Sequence, residues 1–318
     1  MRKFFYSFTF SAILLAITSL IFCQKGNDFS YYKKLNDEEK RLEEYKDSDN
    51  DLIIKLKQLE VINASREKFG APPVELHILA SRVANMISRE AAEKDYVSHW
   101  NMKGEKPYHR YAFAGGYDHV TENAYGEWSS RDFDVTPELI ASLMRNGHQS
   151  FMSEKAPNDG HKKNILNKAH THVGIGFYIM GKQFRYYEEF INRYLYFINI
   201  PSALSVNEKG VITLDTKGEC FLYFLICYRE PFPQPVRPGQ KPRKGSYEDY
   251  SAEVVMRVPA WELSVFRKGT IYRIPVSFRK EGLYYIHIFT SKKDITFPRA
   301  ISTKGFEPVS GIVIKVRK

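Results

Sequence analysis

The apolar residues change their spacing partway along the chain, and that change restricts the folds open to it. Up to about residue 170 they recur every three or four positions, as on one face of a helix. Leu52, Leu56, Leu59 and Ile62 form one such stripe, with Asp49, Asn50 and Asp51 as capping candidates before it and Gly70, Pro72 and Pro73 after it. Leu76, Leu79, Val83, Met86 and Ile87 form a second. A third holds Leu139, Leu143 and Met144, with Thr136 placed to cap it and Pro137 at its first position. A short helix is expected over "GHKKNIL". The period then drops to two, and "HVGIGFYIM" and "QFRYYEEFINRYLYFINI" read as a hairpin turning at Gly181. Beyond Pro201 no helical pattern appears. "GVITLDT", "CFLYFLICYR", "AEVVMRVP", "TIYRIPVSF", "LYYIHIFTS" and "GIVIKVRK" read as strands, six or seven in about 115 residues. The expected fold is therefore α+β, an α-β-α sandwich over residues 49–200 followed by an all-β sandwich over 203–318. The Pro-rich stretch at 231–246 is expected to be an exposed, mobile loop.

The N-terminus reads as a targeting segment. Arg2 and Lys3 precede an apolar run, and the chain turns polar at "CQKGND". A cleaved signal peptide over residues 1–24 is expected, followed by a charged segment over 25–48, so the protein is expected to be secreted or periplasmic. A lipoprotein anchor at Cys23 is disfavoured by the bulky Phe22 before it. Cys220 and Cys227 lie in one strand-like run, where seven steps separate their Cα atoms by roughly 23 Å. A disulfide needs about 7 Å or less, so free thiols are expected. The net charge of +10 is spread along the chain among acidic residues, without zinc-finger or RNP spacing. That argues against nucleic acid as a partner and for association with anionic surfaces.

Four stretches then fall in one order. They are "NASREKFGAPPVEL", framing Asn63, Arg66, Gly70 and Pro73; "SHWNMKGEKPYHRYAFAGGYDHVTENAYG"; "FMSE"; and "GHKKNIL" leading to "THVGIG". Together, over about residues 50–200, they resemble the CAP superfamily, or SCP-like domains, which includes cysteine-rich secretory proteins, antigen 5 and pathogenesis-related proteins. The resemblance implies an α-β-α sandwich with an open cavity ringed by two histidines and two glutamates, where some members bind a divalent metal. Residue by residue, "SHW" supplies His99, "ENAY" supplies Glu122, "FMSE" supplies Glu154 after Phe151, and "GHKKNIL" supplies His161, thirteen residues before Gly174. The eukaryotic disulfides are absent and "HKKN" replaces the "HYTQ"-type signature, so the form is closer to bacterial members.

Two neutral imidazoles, His99 and His161, could ligate Zn²⁺ or another divalent cation, and two nearby carboxylates could orient them or accept a proton from bound water. Structural roles stand open beside these: backbone bonding for His99 and Glu122, a solvated helix end for Glu154, a ring in solvent for His161. There is no HExxH helix and no Gly-x-Ser-x-Gly elbow. His109, His119, His148, His170 and His172 complicate a metal assignment; His170 and His172 are read as strand-entry surface residues. Arg110 is expected to anchor the long loop through carbonyl or carboxylate bonds. Glu188 and Glu189 should point to opposite faces of a strand. The leading expectation is a secreted protein that binds a small molecule, lipid, peptide or cell-surface polymer in the His/Glu cleft. A metal-dependent hydrolase of peptides or cell-wall material is the second reading, and a non-catalytic adhesion module the third. The resemblance does not choose among them.

Overall fold

The computed structural model describes residues 28–247, 253–295 and 302–318, so the expected signal peptide and Cys23 lie outside the described residues. No described helix is long and apolar enough to cross a membrane. The first part of the chain folds as helix α1 (Phe29–Glu38), α2 (Asp49–Lys68), strand β1 (Glu75–Leu76), α3 (Ile78–Glu93), α4 (Pro107–Phe113), β2 (His119–Trp128), α5 (Pro137–Ser153), α6 (Gly160–Leu166), β3 (His172–Met180) and β4 (Gln183–Asn192). The cap of α2 is Ser48, one residue before the expected candidates. Its hydroxyl accepts from the Asp51 amide, and the Asp51 carboxylate answers at the Ser48 amide. Asp51 is thus the returning half of a capping box rather than the cap itself. Thr136 caps α5 as expected.

The strands form one sheet in the order β1-β3-β4-β2, parallel between β1 and β3 and antiparallel elsewhere. Alternation along β4 serves both faces. Phe184, Tyr186 and Phe190 pack with Leu52, Ile62, Leu143 and Phe151 of α2 and α5. Tyr187 packs with Ala84, Ile87 and Ala91 of α3. Gly174 and Gly176 of β3 lie directly under Ala80 and Ala84 of α3, with no room for a Cβ on either. This is the α-β-α arrangement, and it explains the "VGIG" run: the glycines let a helix backbone rest on the sheet.

Strand β4 stops at Asn192, where the sequence pattern runs on. Tyr196–Asn199 forms a separate strand, β5, that pairs with β7 in the next sheet. Continuous apolar alternation cannot reveal which sheet a strand joins. The rest of the chain is β6 (Ala203–Ser205), β7 (Gly210–Asp215), β8 (Phe221–Glu230), β9 (Glu253–Pro259), helix α7 (Ala260–Val265), β10 (Arg267–Lys268), β11 (Ile271–Val276), β12 (Gly282–Ser291) and β13 (Ile312–Arg317). The sheets run β10-β11-β7-β5 and β6-β13-β12-β8-β9. One apolar core joins them, with Ile212, Leu214 and Ile274 facing Leu225, Ile286, Ile288 and Ile314. Among the described residues nine strands replace the expected six or seven, because β6 and β10 are too short to carry a pattern and β5 reads in the sequence as a continuation of β4. Helix α7 was not expected; its six residues span less than two turns. Cys220 and Cys227 are buried free thiols.

Two further expectations are corrected. His170 is buried, its ring against Asn192 and Asn164 and stacked on Phe190, so it is not a surface residue. The Pro-rich stretch is exposed over most of its length as expected, but it is not free: it lies against the first part of the chain, as described below.

The two parts meet around buried polar side chains. Glu230, at the end of β8, accepts from the Tyr108 hydroxyl at 2.6 Å, from His109 Nε2 at 3.1 Å and from Lys106 Nζ at 3.2 Å. Its burial would raise the carboxyl, but bonding and charge from His109, then the Lys106 charge, hold it at about 2. Nearby, His119 of β2 meets His287 of β12 edge-on at 5.4 Å. Burial alone depresses His119 from 6.5 to about 4. A neutral buried imidazole contributes stability that is complete above the unfolded-state pKa and is lost as pH falls through the folded value. Relative to His119→Leu, the parent chain should therefore lose roughly 3 kcal/mol between pH 7 and pH 4. Asp118, raised by burial to about 7, acts with the opposite sign in both proteins and cancels in the difference. Urea unfolding at the two pH values measures it; a difference independent of pH would contradict the neutral His119.

Candidate functional site

His99 follows the turn after α3, and Glu122 lies in β2, the edge strand beside β4. His99 Nδ1 donates to Glu122 Oε1 at 2.8 Å. The other Glu122 oxygen accepts from the Arg110 guanidinium of α4. Arg110 also donates to the carbonyls of His99 (2.7 Å) and Glu105 (3.2 Å), so it fixes the loop as expected, and the backbone of His99 with it. The side chains of Arg110, Glu122 and Glu189 have no exposure to solvent.

Glu189 is directly opposite Glu122 across β2 and β4, with Arg110 3.6 Å away. Neither Glu189 oxygen takes a hydrogen bond from the described residues. Burial, and then the Glu122 charge, push its carboxyl well above the ordinary 4.5. Two buried carboxylates this close oppose each other's charge, which favours the protonated form of Glu189. One guanidinium then balances one negative charge. Glu188 faces the other way and bonds Tyr186, Asn123 and His148, so the two acids occupy opposite faces as expected.

His161 sits in the first turn of α6. Its Nδ1 donates to Glu154 Oε1, while Glu154 Oε2 accepts from the His161 amide at 3.0 Å and the Lys162 amide at 3.4 Å. Glu154, just past α5, thus caps α6 and aims its histidine in one act. Asn123 Nδ2 donates to the His161 carbonyl from the adjoining strand. The Phe151 ring lies 4.8 Å from His161. The four expected residues are therefore brought together as two His–Glu pairs, with the rings 6.3 Å apart between centroids and tilted by 36°. In both pairs the carboxylate holds Nδ1, so Nε2 is the nitrogen through which each ring would meet a ligand. His109, His119, His148, His170 and His172 all serve other contacts.

A third partner was invisible in the motifs. Tyr247, at the end of the Pro-rich stretch, is buried with its ring 4.6 Å from that of His99, and its hydroxyl accepts from the Glu122 amide at 2.6 Å. Nothing local marks it, since it lies 125 positions from Glu122. Glu189 could have been found only by pairing β4 with β2 in the correct register.

Residues 59–193 match the family described as "Cysteine-rich secretory protein family", CAP. A curated relative, the uncharacterized protein YkwD of Bacillus subtilis (strain 168), is 29% identical over 123 residues, 38% of this chain and 41% of its own. This chain thus matches about two fifths of that relative's length. Among solved structures, an extracellular protein containing a SCP domain from Bacillus anthracis str. Ames is 20% identical, with a TM-score of 0.33, over 43% of this chain and 39% of that one. An outer surface protein from Borrelia burgdorferi is 13% identical, with a TM-score of 0.31, over 41% of this chain and 87% of that one.

Proposed function

We propose, from the premise that residues 59–193 are a bacterial CAP/SCP-like domain, that this is an exported protein that captures a ligand between His99 and His161 without turning it over. Export rests on the charged start, apolar run and polar turn of residues 1–24. Capture without turnover rests on the occupation of both carboxylates. A hydrolase built on these four residues needs a carboxylate able to reach water or substrate. Glu122 is enclosed, with one oxygen on His99 and the other on Arg110. Glu154 divides its oxygens between the His161 ring and two amides. Both acids position histidines, and the two rings remain as the ligand-facing groups.

The pair suits a divalent cation such as Zn²⁺ in donor type, since each imidazole is oriented through Nδ1 by a carboxylate. Among the described residues no group of three or more His, Cys, Asp or Glu side chains could hold a metal. Of the described residues, His99 and His161 would hold such a cation, which would offer open positions to an oxygen or nitrogen of the captured ligand. Calorimetric titration of residues 25–318 with Zn²⁺ tests this. Binding should weaken about tenfold or more in His99→Ala and in His161→Ala, as loss of one of two protein donors implies. Unchanged binding in both variants overturns the pair as a site. Turnover of a peptide or peptidoglycan panel that vanishes with chelator would overturn capture in favour of hydrolysis.

A further inference from the structure

The Pro-rich stretch between β8 and β9 crosses the first domain like a bound peptide. Most of its contacts fall on residues 95–104. The Val236 amide donates to the Met102 carbonyl at 2.8 Å. Lys241 Nζ pairs with Asp95 at 2.9 Å. The Ser98 hydroxyl donates to the Arg243 carbonyl at 2.5 Å, and the Arg243 guanidinium lies 4.5 Å over the Trp100 ring. Tyr247 ends the run on His99 and on the amide of Glu122. On the receiving side Gly104 has φ +75°, and a Cβ there would overlap the Gln234 carbonyl oxygen. Only glycine allows both that conformation and that approach.

These are the elements of peptide recognition: main-chain bonds for an extended segment, an aromatic face and a carboxylate for basic side chains, and a terminal seat for an aromatic ring. Pro231, Pro233, Pro235, Pro238 and Pro242 fix φ at five positions and reduce the segment's ordering cost, and a turn at Arg237–Gln240 redirects it between Val236 and Lys241. Arg237, Lys241, Arg243 and Lys244 give residues 231–247 four positive charges and no negative one. The seat is incompletely filled: a cavity of about 620 Å³ remains beside the strap, lined by Trp100, Lys106, His109, Glu230, Phe232 and Tyr247.

The geometry points to residues 236–247 being an internal ligand that occupies the His99 half of the cleft, so that the site takes extended basic peptides carrying an aromatic residue and is held closed in cis until one displaces the strap. This rests on the reading of the His99 cleft as a binding site. A tethered segment competes at an effective concentration in the millimolar range, so an external peptide gains access chiefly when the strap's own contacts are weakened.

The test uses a fluorescein-labelled peptide of residues 239–247, GQKPRKGSY, and residues 25–318 of the protein, with EDTA present throughout. Polarisation should show the peptide binding the Arg243→Ala/Tyr247→Ala variant about tenfold or more tighter than the parent chain. The same peptide with its tyrosine replaced by alanine should lose that gain. Equal affinity for parent and variant, or no binding to a variant that melts like the parent, overturns the internal ligand. Should the double variant not fold, Tyr247→Phe keeps the ring and removes the hydroxyl; a gain of about two- to fivefold is then expected from loss of one hydrogen bond, and an unchanged affinity overturns the inference. Because the peptide is read without metal, its failure is separable from a failure of the zinc titration.

Discussion

Arg110→Ala should destabilise the first domain by about 3–5 kcal/mol, the cost of breaking a buried ion pair from one side. Arg110 is the one Arg or Lys that pairs with Glu122 and Glu189 among the described residues, and all three side chains are sealed from solvent. Removing it leaves the shared charge of the two acids without a counterion and frees the His99 and Glu105 carbonyls. Arg110→Lys should recover only part of the loss, since an ammonium cannot span two carboxyls and two carbonyls as the planar fork does. The carboxyl pair would relieve itself by taking up a second proton, so the defect should shrink as pH falls. That sign follows from the positions of the groups: both carboxyls are already raised by burial, and Arg110 is what draws Glu122 back down. Urea unfolding of the parent and both variants at pH 7 and pH 5 measures it. A parental midpoint for Arg110→Ala would mean that the clamp on Glu122 does not exist.

Gly176→Ala should cost about 3 kcal/mol, at the upper end for overpacking, because what the new methyl meets is backbone. The added Cβ would overlap the Ala84 carbonyl group and its side chain, and neither can rotate away. Relief requires α3 to lift from β3 and β4, and with it the turn that carries His99. Gly174→Ala repeats the clash one register back, at Ala80. By contrast Gly160, at the start of α6, has open space where its Cβ would be, so Gly160→Ala should be close to neutral. Thermal melts of the three variants provide the comparison, with roughly 2–4 °C expected per kcal/mol in a domain of this size. A Gly176→Ala melt within a degree or two of the parent would remove the close helix–sheet contact from the account.

The sequence carried the helices of the first domain plainly, because Leu52 to Ile62 and Leu139 to Met144 keep a period no strand can use. The hairpin at Gly181 was equally clear. The four cleft residues are those the resemblance to the CAP superfamily implies, carried over on four motifs in order, and the structure arranges them as two pairs, His99 with Glu122 and His161 with Glu154. What escaped was pairing at a distance. Tyr196–Asn199 continues the apolar alternation of β4, yet it belongs to a different sheet. His170 looked like surface because it leads into a strand, and burial depends on what the next layer places over it. The Pro-rich stretch is polar, charged and rich in turn residues, which locally describes a solvated loop. Its order comes from Trp100, Ser98 and Gly104, 130 or more positions earlier.

The most direct test of the account is the protonation pattern of the two cleft histidines. A long-range ¹H–¹⁵N spectrum of residues 25–318, taken at about pH 8 where an ordinary imidazole is neutral, separates the two tautomers of each ring. The Glu122 and Glu154 bonds predict Nδ1–H tautomers for both His99 and His161, with zinc shifting the Nε2 resonance of each. Nε2–H tautomers, or resonances that zinc leaves in place on both rings, would contradict a carboxylate-oriented pair built to receive a ligand.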